Sequence, residues 1–186
     1  MALTATMYRV DVTLSDVDRG VYEQLELRLA RHPSESVRYL ISRLLAYCTS
    51  YEEGITFSKG GLSDSDEPPV SVWDPTGVRT AWIDVGAPSA ERLHKASKST
   101  PRVALFSHVA LPLLRREAAG RTVHRLEQIQ VWQLEPAFLD ALGERVGRNT
   151  RLELVRTDGQ LYVTVDGEVL TGSITPATLI TPGIAG

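Results

Sequence analysis

The sequence predicts an α/β domain, a mixed central sheet flanked by helices, with a β-hairpin at the N-terminal end and another towards the C-terminal end. Three observations predict it. Apolar residues alternate along Tyr8, Val10, Val12 and Leu14 and again along Leu25, Leu27 and Leu29, the period of two half-buried strands joined by the polar turn Ser15 to Gly20. The middle of the chain runs helix, three strands, helix, strand, the order of a mixed sheet with helices packed on it. A second pair of short strands, Leu152 to Val155 and Leu161 to Val165, brackets Asp158-Gly159, a turn dipeptide.

The elements between follow in order. Arg31-His32-Pro33-Ser34 stops the opening hairpin, and Ser34 is placed to cap a helix in which Val37, Leu40, Ile41, Leu44, Leu45 and Cys48 recur at helical spacing. Arg38 and Arg43 mark its other side. Ile55 to Ser58 reads as a short strand, followed by Lys59-Gly60-Gly61 and the acidic stretch Asp64 to Glu67. Val70 to Trp73 and Arg79 to Val85 read as strands joined by Asp74-Pro75-Thr76-Gly77. Gly86-Ala87-Pro88 ends the second, and Ser89 caps a helix that turns Leu93 and Ala96 inward. A strand at Val103 to Ser107, a helix at Leu111 to Ala119, a strand at Ile129 to Leu134 and a helix at Pro136 to Val146 complete the middle. We expect one domain over residues 1–171 and a flexible tail over 172–186, where Thr, Pro and Gly repeat.

At 186 residues and 42% hydrophobic, the chain can bury one sizeable core. Its net charge of -3 and pI near 5.8 give no general attraction for nucleic acid, so any such binding needs a local basic patch or a bound cation. The single Cys48 excludes an internal disulfide and suits a reducing cytoplasm. No basic-then-apolar leader opens the chain and no apolar run reaches membrane-spanning length, so a cytoplasmic protein is expected.

Chemistry-bearing residues gather between Asp66 and Lys95. Asp84 sits near the end of its strand, on the same face as Trp82, just before a glycine turn. The helix that follows carries Arg92, Lys95 and Lys98 at intervals of three, one basic face able to meet phosphate or simply to be solvated. Asp64, Asp66 and Glu67 offer oxygen ligands of the kind Mg²⁺ takes, although an exposed acidic loop is as common. Glu35, in the first turn of the first long helix, suits the helix dipole and could support a metal. His32, His94, His108 and His124 have no ligand spacing, and no phosphate-cradling glycine loop or nucleophile elbow is present.

Several segments resemble the bacterial YaeQ proteins, in the family's order. They are Met1-Ala2-Leu3-Thr4-Ala5-Thr6 with Tyr8, Ser15-Asp16-Val17-Asp18-Arg19 with Tyr22, and Arg31-His32-Pro33-Ser34-Glu35. Arg43-Leu44-Leu45-Ala46, Asp66-Glu67-Pro68, Trp82-Ile83-Asp84-Val85-Gly86, Arg92 with Lys95-Ala96, and Val131-Trp132-Gln133-Leu134 continue the match. The resemblance implies a variant of the PD-(D/E)XK nuclease fold, with Mg²⁺ (or Mn²⁺) held by acids beside a lysine. Carried over, Asp84 is the third-strand acid, Asp66 or Glu67 the second-strand acid, Glu35 the helix acid, and Lys95 a lysine displaced from the position held here by Gly86. Pro69 stands where relatives carry a further acid. Asp84, Lys95 and Asp66 would be catalytic, Arg92 and Lys98 would grip phosphate, and Asp16, Asp18 and Arg19 would border the cleft. The implied function is a metal-dependent phosphodiesterase acting on nucleic acid. The alternative is a catalytically weak or inactive version that binds nucleic acid or a protein partner.

Overall fold

The alternating leucines and valines of the opening hairpin fold as expected. β1 (Thr6–Asp16) and β2 (Val21–Arg31) pair antiparallel, with Val10, Val12, Leu14, Leu25, Leu27 and Leu29 all buried on one face. This computed structural model describes residues 4–59 and 66–183, so Gly60, Gly61 and Asp64 lie outside the described residues. The chain continues through α1 (Val37–Thr49), β3 (Ile55–Phe57), β4 (Val70–Trp73), β5 (Arg79–Val85), α2 (Ala90–Ser99) and β6 (Arg102–Ser107). It ends with α3 (Leu111–Ala118), β7 (Gln130–Leu134), α4 (Pro136–Arg145), β8 (Asn149–Thr157), β9 (Gln160–Val165) and β10 (Glu168–Ala177).

A central sheet flanked by helices is not what these elements build. The ten strands of the described residues join one sheet in the order β2-β1-β8-β9-β10-β7-β6-β5-β4-β3. The sheet curls until it almost closes into a barrel, and α1 lies inside. That helix is buried nearly all round, at Leu40, Ile41, Ser42, Arg43, Leu44, Leu45, Ala46 and Cys48, as an enclosed helix must be. Its Arg43 reaches both ends of the sheet at once: its guanidinium donates to the Ala30 carbonyl of β2 at 2.8 Å and lies 5.9 Å from the Phe57 ring centre of β3. The PD-(D/E)XK-like architecture expected from the resemblance is therefore replaced by a strand-dominated, barrel-like one with four α-helices among the described residues.

Two pairings cause the difference. β1 lies parallel to β8, with Val12 opposite Leu152 and Leu14 opposite Leu154, so the N-terminal hairpin is an integral part of the sheet. β10, absent from the sequence reading, pairs with β9 along its first half and with β7 along its second, and so welds the two halves of the sheet. The expected loose tail begins inside this strand. Gly172 of β10 fits because a Cβ there would stand 2.3 Å from the Phe138 ring of α4, and that close approach seats α4 against the sheet. One core fills the barrel around α1, and a second, with Trp82, Leu93, Leu105, Leu114 and Val131, lies outside under α2 and α3.

The helix caps also differ in detail. Ser36, not Ser34, caps α1 by accepting from the Tyr39 amide at 3.1 Å. Glu35 therefore precedes the helix instead of lying in its first turn. Ser89 caps α2 as expected, accepting from the Arg92 amide at 3.2 Å.

Candidate functional site

Strand direction sorts the polar residues to the two mouths of the barrel. β5 and β2 both run upward, so Asp84 and Gly86, the end of β2 and the start of α1 share the upper mouth. A cavity of about 140 Å³ opens there, lined by residues that include Glu35, Tyr39, Arg43, Lys59, Glu67 and Arg92.

Asp84 is held before it can serve the cavity. Alternation on β5 turns it to the outer face with Trp82, as expected, while Ile83 and Val85 enter the barrel core. Its side chain is only 3% exposed. Arg92, from the first turns of α2, sets Nε at 3.0 and 2.9 Å from its two carboxylate oxygens, and the Trp82 indole donates to Oδ2 at 2.9 Å. The Arg92 guanidinium also lies 5.2 Å from the Trp82 ring centre and donates to the Glu67 carbonyl at 3.2 Å. The residue placed as a phosphate grip is thus the ion partner of the residue placed as a metal ligand.

Glu35 repeats the pattern. It is buried, pairs with Arg43 at 3.0 Å and accepts from the His32 amide at 3.2 Å. Burial pushes its carboxyl above the ordinary value of 4.5, against the pull of Arg43. The Tyr39 hydroxyl is likewise pushed up, chiefly by burial, with Asp84 and Glu35 adding to the shift. Glu67 lines the cavity, and its carboxylate accepts from the Lys59 amide at 3.2 Å. Asp66 turns outward: its side chain is 69% exposed and pairs with Lys95. Lys98 is exposed, one turn further down α2.

Mg²⁺ needs several oxygens facing one point, and this arrangement does not supply them. Among the described residues no three His, Cys, Asp or Glu side chains gather as a metal-binding group. Asp84 is closed by Arg92 and Trp82, Glu35 by Arg43, and Asp66 faces away. The residues present do not fit the ion.

Gly86 stands where the fold expected from the resemblance keeps a lysine, and its backbone explains why. Its φ is +89°, a left-handed conformation that L side chains rarely adopt, and its amide donates to the Phe106 carbonyl at 2.9 Å. Asp16, Asp18 and Arg19 belong to the opposite mouth, since β1 runs downward. Arg19 donates there to the Thr49 and Tyr51 carbonyls that end α1, at 3.0 and 2.8 Å. Sequence reading missed Arg43 and Tyr39, which line the upper cavity, and Arg156 at the lower mouth. Arg43, expected with Arg38 on the side of the helix away from the apolar stripe, is instead buried against Glu35, because the enclosed helix has no open side at that position.

Comparison with known proteins places the chain in a family. The YaeQ protein family matches residues 1–174. The YaeQ protein of Salmonella typhi is 33% identical over 168 residues, covering 88% of this chain and 90% of that protein. That of Escherichia coli K12 is 31% identical over 180 residues, covering 94% and 97%. The crystal structures of YaeQ from Pseudomonas syringae and from Xanthomonas axonopodis pv. citri both superpose with a TM-score of 0.84 at 30% identity. Each covers 94% of this chain, and 96% and 99% of those chains respectively. With the family's sequence pattern spanning nearly the whole chain and its solved structures superposing over 94% of it, the chain belongs to the YaeQ family.

Proposed function

We propose that the upper mouth and the outer face of α2 form a binding surface for a phosphate-bearing partner, a nucleic acid strand, and that the protein works without a catalytic metal. One observation carries this reading: the two buried carboxylates that would hold a metal each hold an arginine instead, Asp84 with Arg92 and Glu35 with Arg43. A buried, hydrogen-bonded arginine–carboxylate pair resists rearrangement, because separating it leaves an uncompensated buried charge. Lys95 and Lys98, about 4.5 Å apart along the helix axis, and the nearby Lys59 supply the cations. The Lys95–Asp66 pair is exposed on both sides and is worth no more than about 1 kcal/mol, so phosphate can replace the carboxylate.

The test is fluorescence anisotropy with labelled single-stranded and duplex oligonucleotides in EDTA, read beside a cleavage gel with Mg²⁺ and Mn²⁺. Binding should persist in EDTA and weaken between 50 and 200 mM salt, roughly tenfold for each two or three phosphates contacted. Lys95→Glu combined with Lys98→Glu should reduce it by about tenfold or more. Absence of binding, or binding unchanged in the double variant, defeats the proposal. So does metal-dependent cleavage that Asp84→Ala abolishes.

A further inference from the structure

The lower mouth holds a second cavity, of about 250 Å³, on the far side of α1 from the surface just described. Its lining combines an apolar floor, Ile83, Ala104 and Trp132, with three arginines, Arg19, Arg102 and Arg156. Arg156 is the informative one. Its side chain is only 8% exposed, yet its Nε donates no hydrogen bond among the described residues. Its guanidinium lies 5.1 Å from the Trp132 ring centre, and its nearest carboxylate oxygens are ion-pair contacts, at 3.4 Å to Asp18 and 3.6 Å to Asp16.

Three carboxylates, Asp16, Asp18 and Glu52, balance the three arginines, but none of them accepts a hydrogen bond from the Arg156 Nε. Asp16 Oδ1 accepts from the Arg19 amide at 3.2 Å, while its buried Oδ2 makes no hydrogen bond among the described residues and stays at ion-pair distance, 3.6 Å, from Arg19 and Arg156. Asp18 accepts from the amides of Asp158 and Gly159 at 2.7 and 3.0 Å, and these hold its carboxyl below the ordinary range. Glu52 pairs with Arg102 at the rim. The acids set the arginines in place without satisfying the Arg156 donor. A buried guanidinium N–H left unmade is costly, and an oxygen anion is its strongest partner.

We infer that the lower mouth is a ligand site for a small oxyanion, a carboxylate or phosphate group, bound by Arg156 with its apolar body on Ile83, Ala104 and Trp132. The site is independent of the surface on α2. The cavity is smaller than those that take drug-sized molecules, which limits the ligand to a compact one.

Inorganic phosphate and benzoate, titrated separately into the ¹⁵N-labelled full chain, test the site. The readouts are the Arg156 Nε–Hε and Trp132 indole signals in NMR spectra. A saturable shift confined to these two residues and their neighbours is expected with at least one probe. Benzoate alone assigns a carboxylate, phosphate alone assigns a phosphate group, and both together assign the oxyanion in general. Arg156→Gln should abolish the saturation. Because that change also disturbs buried Asp16, Ala104→Leu serves as the second variant: it fills the cavity, keeps every charge, and should weaken binding about tenfold or more in a chain that still unfolds in one cooperative transition. Lys95→Glu with Lys98→Glu should leave it intact, which separates this site from the upper one. Shifts that rise linearly without saturating, or binding that Ala104→Leu leaves unchanged, overturn the inference.

Discussion

Glu35 shows what the enclosed environment does to a single side chain. Burial raises its carboxyl above 4.5 although Arg43 stands 3.0 Å away, so desolvation outweighs the attraction of one cation. A raised folded value means that the native state binds this proton more tightly than the unfolded chain does. The resulting stabilisation is complete below pH 4.5 and is lost as pH rises through the folded value. Melting temperatures of the wild type and Glu35→Gln, measured from pH 4 to pH 7, should therefore show the wild type losing ground to the variant as pH rises. A constant difference, or one that moves the other way, contradicts this account. Side-chain facing was legible at this scale: the two-residue period placed Asp84 beside Trp82 correctly. The partner of Asp84 was not, because Arg92 belongs to a separate element and three-residue spacing does not say which of three cations turns inward.

At the scale of elements, α1 is the support of both mouths. Its N-terminal half presents Tyr39 and Arg43 upward, and the carbonyls at its C-terminal end are closed by Arg19 below. Leu45 is fully buried at the centre of the helix, where no rearrangement of the surrounding strands can fill a void cheaply. Leu45→Ala should cost about 2–5 kcal/mol, read as a loss in urea midpoint at unchanged slope. A cost below about 1 kcal/mol would mean that the sheet does not enclose this helix as described. The helices and most strands were legible from periodicity and turn chemistry. β10 was not, since Pro176 and Gly172 break its strand signal and only pairing with two neighbours holds it extended.

For the whole molecule, closure depends on contacts between residues far apart in sequence. The fold class was misread for that reason: nothing local says that β1 should lie parallel to β8, so both hairpins looked like appendages. Asp18 makes the point in one side chain, joining the turn after β1 to the β8–β9 turn through two backbone amides. Those bonds depress its carboxyl, so the stabilisation they give is present above pH 3.8 and lost as pH falls through the folded value. Asp18→Asn should melt lower than the wild type at pH 7, and the two should converge as the pH approaches 3. A gap that persists undiminished in acid rules out the charged contact as its source. The same long reach governs how the protein is born. α1 is buried on nearly every side and leaves the ribosome about 90 residues before α4, which packs along it, exists to cover it. At about 5–20 residues per second, that helix waits roughly 5–20 s without its enclosure. During synthesis this is a chain in need of a temporary cover, and a nascent-chain chaperone is the natural one.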